Sequence, residues 1–520
     1  MKRASLAAPS FLALSLAATL GAACGGTPKL PPAPLGPTPV APPKPLEPAP
    51  QPAAARPDTP DAPFREKTPD EDGTVVFSAP KIESFRLKNG MRVLFVERHD
   101  LPIVSVRVTV KGGAGDYPSI RPGVTSFMGA MLEQGTKNRS ALQLSDDYEE
   151  IGAQHGAWCS WDSCGSSVKV LSRHVDRALS ILGDVLTHPI FAESEIERLR
   201  ARRIAGLTQE KNQPGAMSQN AVAAALYGRN HPYGHSLSGR VEDAKGLTRP
   251  DVVKAYETIF APKNATVIAC GDITKQALAE KLEASLGTWT ATAKGPAARS
   301  PQAPPASKSP RLVLVDKPGA AQSQVGLADV GVPMRNPDRE ALVVMNAILG
   351  GMFSSRINLN LREANHFTYG AGSRFAKRHG AGPFVAGGAM VADKTAAAVG
   401  ELFREIRRMI DEDVKDSELA DSKADIKHAL PGQFETVSAV TQALDDIVVY
   451  DLPLDEYATL AKRIDAVTAK DVRRVAKKYL RPDALKVVIV GDRAKLESEL
   501  VQTLRLGAPE ARDAYGDPVQ

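Results

Sequence analysis

The chain has 520 residues, 43% hydrophobic and 24% charged, with a formal net charge of +5, two units of which come from Lys2 and Arg3. Such a length exceeds one ordinary core and predicts two to four domains, and the composition excludes disorder over most of the chain. Mild basicity without a stripe of Lys or Arg interleaved with aromatics excludes a nucleic-acid-binding signature.

Lys2 and Arg3 are followed by an apolar run through Phe11, Leu12, Leu14, Leu16 and Leu20, then by Gly21-Ala22-Ala23-Cys24. This is the layout of a secretory signal. Small residues ahead of a Cys resemble the bacterial lipoprotein processing site, which makes Cys24 the expected lipid attachment point, although Leu20 stands one place farther from the Cys than usual. Residues 1–24 are read as this signal and residues 25–76, dominated by Pro and Ala, as an extended tether. No later run reads as long and apolar enough to cross a bilayer, so the rest is expected to be soluble beyond the inner membrane.

Folded structure is expected from Phe77. Phe85 to Val96 reads as two strands turning at Asn89-Gly90, a strong hairpin signal. A third strand is predicted over Val104–Lys111, then a loop at Gly112, Gly113 and Gly115, and helices over Gly123–Glu133 and Ser140–Ile151. Ala157–Leu171 is strand-like, Val175–Leu186 helical, and a further helix from Glu193 carries Arg198, Arg200, Arg202 and Arg203, read as a solvated face. Cys159 and Cys164 are five apart; on one straight strand they would face opposite sides roughly 17 Å from each other, so a disulfide requires a turn between them. Cys270, in an apolar run, reads as a small core residue.

A repeat follows. Leu247-Thr-Arg-Pro-Asp-Val-Val leading to Val267-Ile-Ala-Cys-Gly271-Asp272 matches Val467-Thr-Ala-Lys-Asp-Val-Arg leading to Val488-Ile-Val-Gly491-Asp492, at a constant offset of 220 residues. Each copy is a helix running into a buried strand, so the chain reads as two copies of one domain. Residues 77–290 and 311–508 are the expected domains, 291–310 a linker rich in Ala, Pro, Ser and Lys, and 509–520 a tail. The predicted class is α+β: two homologous domains, each a mostly antiparallel sheet with helices packed on one face.

The phrases LKNGMRVLFVE, GVTSF through GT at 123–136, ALYGRNHPYG at 225–234, the paired strands ending in Gly-Asp, and LGGMFSSRINLNLRE at 349–363 together resemble the insulinase/pitrilysin family, in its processing-peptidase-like branch. The resemblance spans about residues 77–505 and implies that family's metallohydrolase fold. In the family's zinc peptidases an H-x-x-E-H helix supplies two His ligands and a Glu that takes a proton from the attacking water. Here those places read Ser126, Gly129 and Ala130, and the segment Arg202–Leu207, where the family's third ligand Glu would fall, carries no carboxylate. No metal is therefore expected on this chain. His231 and His235 are four apart, but Pro232 and Gly234 argue against a helix presenting both, and HPYG is a family phrase without a ligand role. No Ser or Cys stands in a nucleophile-elbow context.

Arg362, near the end of an apparent helix over Phe353–Ala364, and Tyr369, opening a strand-like stretch, keep the spacing of seven at which active relatives place an Arg and a Tyr against the substrate across from the zinc. A permanently charged guanidinium and a directed phenol suit a peptide carbonyl that gains negative charge. The resemblance thus implies a zinc-free subunit of a heteromeric metallopeptidase of the bacterial cell envelope. It would be lipid-anchored, at the outer membrane in preference to the inner, with zinc on a homologous partner chain and an extended peptide as substrate. The alternative is a catalytically dead peptide-binding or scaffolding protein. The long glycine-rich loop of the mitochondrial non-catalytic subunit is missing, since Leu349-Gly-Gly-Met-Phe is short, which argues against presequence-type recognition.

Overall fold

The repeat becomes two six-stranded sheets in the computed structural model, which describes residues 77–519 apart from Pro118 and residues 291–310. The expected signal, Cys24, the tether and the linker lie outside the described residues. The first sheet comprises β1 (Glu83–Arg86), β2 (Arg92–Glu97), β3 (Ile103–Lys111), β4 (Gln154–Cys159), β5 (Ser163–Leu171) and β6 (Ala265–Gly271), in the order β1-β2-β6-β3-β5-β4. The second comprises β7 (Leu312–Asp316), β8 (Gln322–Val330), β9 (Ala371–Phe375), β10 (Pro383–Val391), β11 (Lys486–Gly491) and β12 (Glu510–Arg512), in the order β12-β7-β11-β8-β10-β9. Removing β1 and β12 leaves one topology in both: the second half lays down its strands in the same sequence as the first. Pairing is antiparallel except β2 with β6, β7 with β11 and β7 with β12. The class is α+β with mostly antiparallel sheets, as the patterning predicts.

Local chemistry explains the shared elements. Gly90 takes φ 89° at the β1–β2 turn, a conformation that only a residue without Cβ adopts freely. The helices Arg249–Ile259 and Ala469–Tyr479 each start with a Thr cap, Thr248 and Thr468, that exchanges hydrogen bonds with an Asp three residues on. The strands that follow them, β6 and β11, are buried along their whole length.

That full burial has a cause the patterning does not reveal. Within each half the helices cover one face of the sheet, and the second face is covered by a helix from the other half. Met217, Ala221, Val222 and Leu226 of the Pro214–Tyr227 helix pack on Val313, Val315, Val488 and Val490 of the second sheet. Val440, Leu444, Ile447 and Val448 of the Val437–Val449 helix pack on Leu94, Val96, Ile268 and Cys270 of the first. The polar stripe of the latter helix is met too: Thr441 bonds Ser105 at 3.3 Å and Asp445 accepts from Thr109 at 2.5 Å.

Four expectations change. The expected tail carries β12, which extends the second sheet beside β7, and its Asp517 pairs with Arg240 at 2.6 Å. The strand-like Ala157–Leu171 is a hairpin, β4 and β5, turning at residues 160–162; Cys159 and Cys164 face each other across it and form a disulfide. The helix expected over Phe353–Ala364 begins at Arg356, and its second part, Leu359–Ala364, is wound as a π-helix. A helical stretch long and apolar enough to cross a membrane does occur, Arg339–Ala364, but it is interrupted at residues 352–355 and 61% of its most apolar window is buried, as a core element would be.

Candidate functional site

The helix carrying the altered motif runs Val124–Met131. Val124, Phe127, Met128 and Met131, with Leu132 beyond, sink into the first core, and Ser126, Gly129 and Ala130 are left to the remaining faces. The Ser126 hydroxyl is 3.1 Å from the Gly123 carbonyl and 2.9 Å from that of Leu237. It also accepts from Arg203 at 3.1 Å, and the same guanidinium nitrogen reaches the Ser238 carbonyl at 3.2 Å. Burial holds the Arg203 pKa below the ordinary arginine value, with Glu210 pulling the other way. Arg203 sits on the Glu193–Glu210 helix, so a cation from the helix where a ligand Glu is expected stands against the first motif position. The arginine run is therefore not simply a solvated face: besides Arg203, Arg200 donates to the Leu247 carbonyl at 2.5 Å, while Arg198 stays at the surface paired with Glu195.

At the second motif position the helix touches backbone. A Cβ on Gly129 would come within 2.6 Å of the Cys159 amide nitrogen and 2.7 Å of the Trp158 carbonyl carbon. β4 thus lies directly on the helix where a Glu side chain would have to leave it. A hydroxyl, a hydrogen and a methyl beside a guanidinium do not make a ligand set for a divalent metal, and the residues here do not fit zinc. Among the described residues no group of three or more His, Cys, Asp or Glu side chains stands together as a ligand set.

His231 and His235 flank a 3-10 turn, Pro232–Gly234, and each is engaged by backbone. The His231 Nδ1 accepts from the Tyr233 amide at 3.0 Å, and the His235 Nδ1 lies 2.9 Å from the Ser236 carbonyl. The turn ties the halves together: Tyr233 Oη accepts from the Gly380 amide at 3.2 Å, and Tyr227 Oη donates to the Ala381 carbonyl at 2.8 Å. Beside it Asp162 accepts from the His379 amide at 3.1 Å, and the His379 ring lies 3.6 Å from Asp116. Burial raises the Asp162 carboxyl above its ordinary range, opposed by the His379 amide and ring charge.

Arg362 and Tyr369 belong to the other end of the second half. Arg362, on the π-wound turn, is paired with Glu363 at 3.3 Å and lies 4.6 Å from the Phe353 ring centroid. Tyr369 is 90% exposed on the turn into β9, which removes any role in filling the sheet. The turn is held by Thr368, whose hydroxyl is 2.9 Å from the Gly370 carbonyl and 2.7 Å from that of Ala389. Local bonds therefore fix the loop while the phenol projects outward.

A two-domain α+β chain of metallopeptidase type, with its metal positions stripped of ligands, is what fold and site define. The family description "Insulinase (Peptidase family M16)" matches residues 92–240, and "Peptidase M16 inactive domain" matches residues 246–425. The chain belongs to the M16 peptidase family. It is 25% identical over 429 residues to the mitochondrial-processing peptidase subunit beta of Mus musculus, covering 80% of this chain and 86% of that one. An uncharacterized zinc protease of Bacillus subtilis (strain 168) is 22% identical over 395 residues, covering 76% and 94%. Among solved structures, a peptidase M16 inactive domain from Pseudomonas fluorescens superposes with a TM-score of 0.72 at 24% identity over 79% of this chain and 98% of that one. A protease from Helicobacter pylori gives 0.72 at 22% identity over 79% and 100%, and these two share the fold.

Proposed function

We propose that this chain is the zinc-free subunit of a two-chain M16 metallopeptidase of the bacterial cell envelope, held to a membrane by lipid on Cys24, the outer membrane in preference to the inner. The observation that carries the reading is the filled motif helix, with Arg203 bonded to Ser126 and β4 seated on Gly129. A homologous partner with an intact H-x-x-E-H supplies the zinc, and this chain closes the chamber. Arg362 and Tyr369 are the residues it contributes to substrate. The exposed phenol and the guanidinium, held among the described residues only by the neighbouring Glu363 and Phe353, can turn to a peptide carbonyl and donate to it as its oxygen gains charge. An extended peptide can add as a strand to a terminal strand of a sheet, and β4 and β9 hold those positions.

Co-expression with a motif-bearing homologue from the neighbouring reading frame tests the reading. The pair should cleave an extended peptide that neither chain cleaves alone. Arg362→Ala or Tyr369→Phe should lower kcat by about 100-fold, the scale of losing one oxyanion-type donor. Unchanged turnover in both variants removes the assigned role. Failure of every motif-bearing homologue to co-purify favours the peptide-binding or scaffolding alternative.

A further inference from the structure

The Pro214–Tyr227 helix leaves part of the second sheet uncovered, and a cavity of roughly 630 Å³ opens there over β8, β10 and β9. On β9, Ala371 and Phe375 pack against the second core and Ser373 bonds Asn346 at 2.9 Å, so the alternate residues Gly372 and Arg374 turn to the cavity. Gly326, Gly387 and Gly388 give the floor no side chains, and Trp161 and Tyr227 form walls from the first half.

Its charge is one-sided. Arg374 and Arg378 line the cavity, and among the described residues lining it there is no Asp or Glu. Arg378 donates to the Lys377 carbonyl at 2.8 Å and lies 5.4 Å from the Trp161 ring centroid. Arg374 is exposed, and among the described residues its guanidinium has no hydrogen-bond or ion-pair partner. The nearby carboxylates are engaged elsewhere: Asp446 with Lys377 at 2.8 Å, and Asp162 with the His379 amide. Gln219 and Gln324 add amides that both donate and accept. Burial lowers the His235 pKa, and with its Nδ1 against the Ser236 carbonyl the neutral ring leaves Nε2 as an acceptor.

We propose that this groove binds a short peptide through a carboxylate, with Arg374 as the anchoring cation. The volume falls in the range of ligand pockets, the amides match peptide units, and an arginine without an acidic partner matches a carboxylate through paired N–H donors. The carboxylate can come from a free C-terminus or an acidic side chain. The inference concerns this chain alone and does not depend on a partner subunit.

The test is isothermal titration calorimetry of the full chain with an N-acetylated tetrapeptide, Ala-Leu-Tyr-Ala, as the free acid, as the C-terminal amide, and as an amide with Glu replacing Tyr. At least one carboxylate-bearing probe should bind 10-fold or more tighter than the neutral amide; the free acid alone assigns a C-terminus, and the Glu-bearing amide an acidic side chain. Arg374→Gln should weaken that binding about 10-fold with an unchanged melting curve. Equal binding of neutral and charged probes, no binding of any, or full affinity in Arg374→Gln overturns the proposal.

Discussion

Gly129→Ala isolates the claim that β4 has closed on the motif helix. Helix propensity favours Ala over Gly by about 1 kcal/mol, so packing decides the sign. The new Cβ would lie 2.6 Å from the Cys159 nitrogen, 2.7 Å from the Trp158 carbonyl carbon and 3.2 Å from the Cys159 Cβ. The first two are backbone atoms of a strand pinned by its ladder to β5 and by the Cys159–Cys164 disulfide, so they cannot yield cheaply. Overpacking costs about 1–3 kcal/mol, and two backbone contacts below 3.0 Å put this case at about 2–3 kcal/mol. A net loss of about 1–2 kcal/mol should remain after the propensity gain, lowering Tm by about 2–8 °C at the usual scale for domains of this size. Gly206→Ala is the matched control: it lies within the Glu193–Glu210 helix, and a Cβ there meets nothing within 4 Å. It should stabilise by about 0.5–1 kcal/mol. Thermal denaturation followed by circular dichroism reads both. A Gly129→Ala protein as stable as the parent would refute the reasoning. The same contact predicts that combining Ser126→His, Gly129→Glu and Ala130→His will not restore zinc, and stoichiometric metal after dialysis would contradict it.

Replacing Cys159 and Cys164 together by Ala should cost about 2 kcal/mol, the loop-closure value for so short a ring, measured by urea denaturation; an unchanged midpoint would remove the hairpin's proposed stiffness. His379 should make stability depend on pH. Burial alone would lower its pKa, but Asp116 and Asp162 outweigh burial and raise it above 6.5. A raised folded pKa gives stabilisation that is complete below the unfolded value and is lost as pH rises through the folded one. The parent should therefore lose more stability than His379→Gln on going from about pH 6 to about pH 8, and parallel curves for the two would exclude this source.

The elements legible in the sequence were those whose causes are local. Asn89-Gly90 specifies its turn, and the alternating Val104, Val106, Val108 and Val110 specify the face that β3 turns to the first core. The β4–β5 hairpin was hidden because Ala157–Leu171 is strand-like on both sides of Ser160, Trp161 and Asp162, where two turn-forming residues flank a Trp with no Gly or Pro to mark the turn. The Arg203–Ser126 contact joins residues 77 apart in sequence on two helices, and nothing in an arginine run says which member will turn inward. The groove was equally out of reach, since Arg374 gains meaning only when β9 sets it beside a face that a helix of the other half leaves open.

The exchange of helices between the halves bears on why a helix without its ligands persists. Val440 and Leu444 complete the first sheet from the second half, as Val222 and Leu226 complete the second from the first. Neither sheet has both faces covered by its own half. The second half, with Arg362 and Tyr369, therefore depends on the first half remaining folded. The motif helix belongs to the core of that first half through Phe127, Met128 and Met131, each no more than 1% exposed. Ser126, Gly129 and Ala130 lie off that core-facing set, while any loss among the buried three would reach the second half through the exchanged helices.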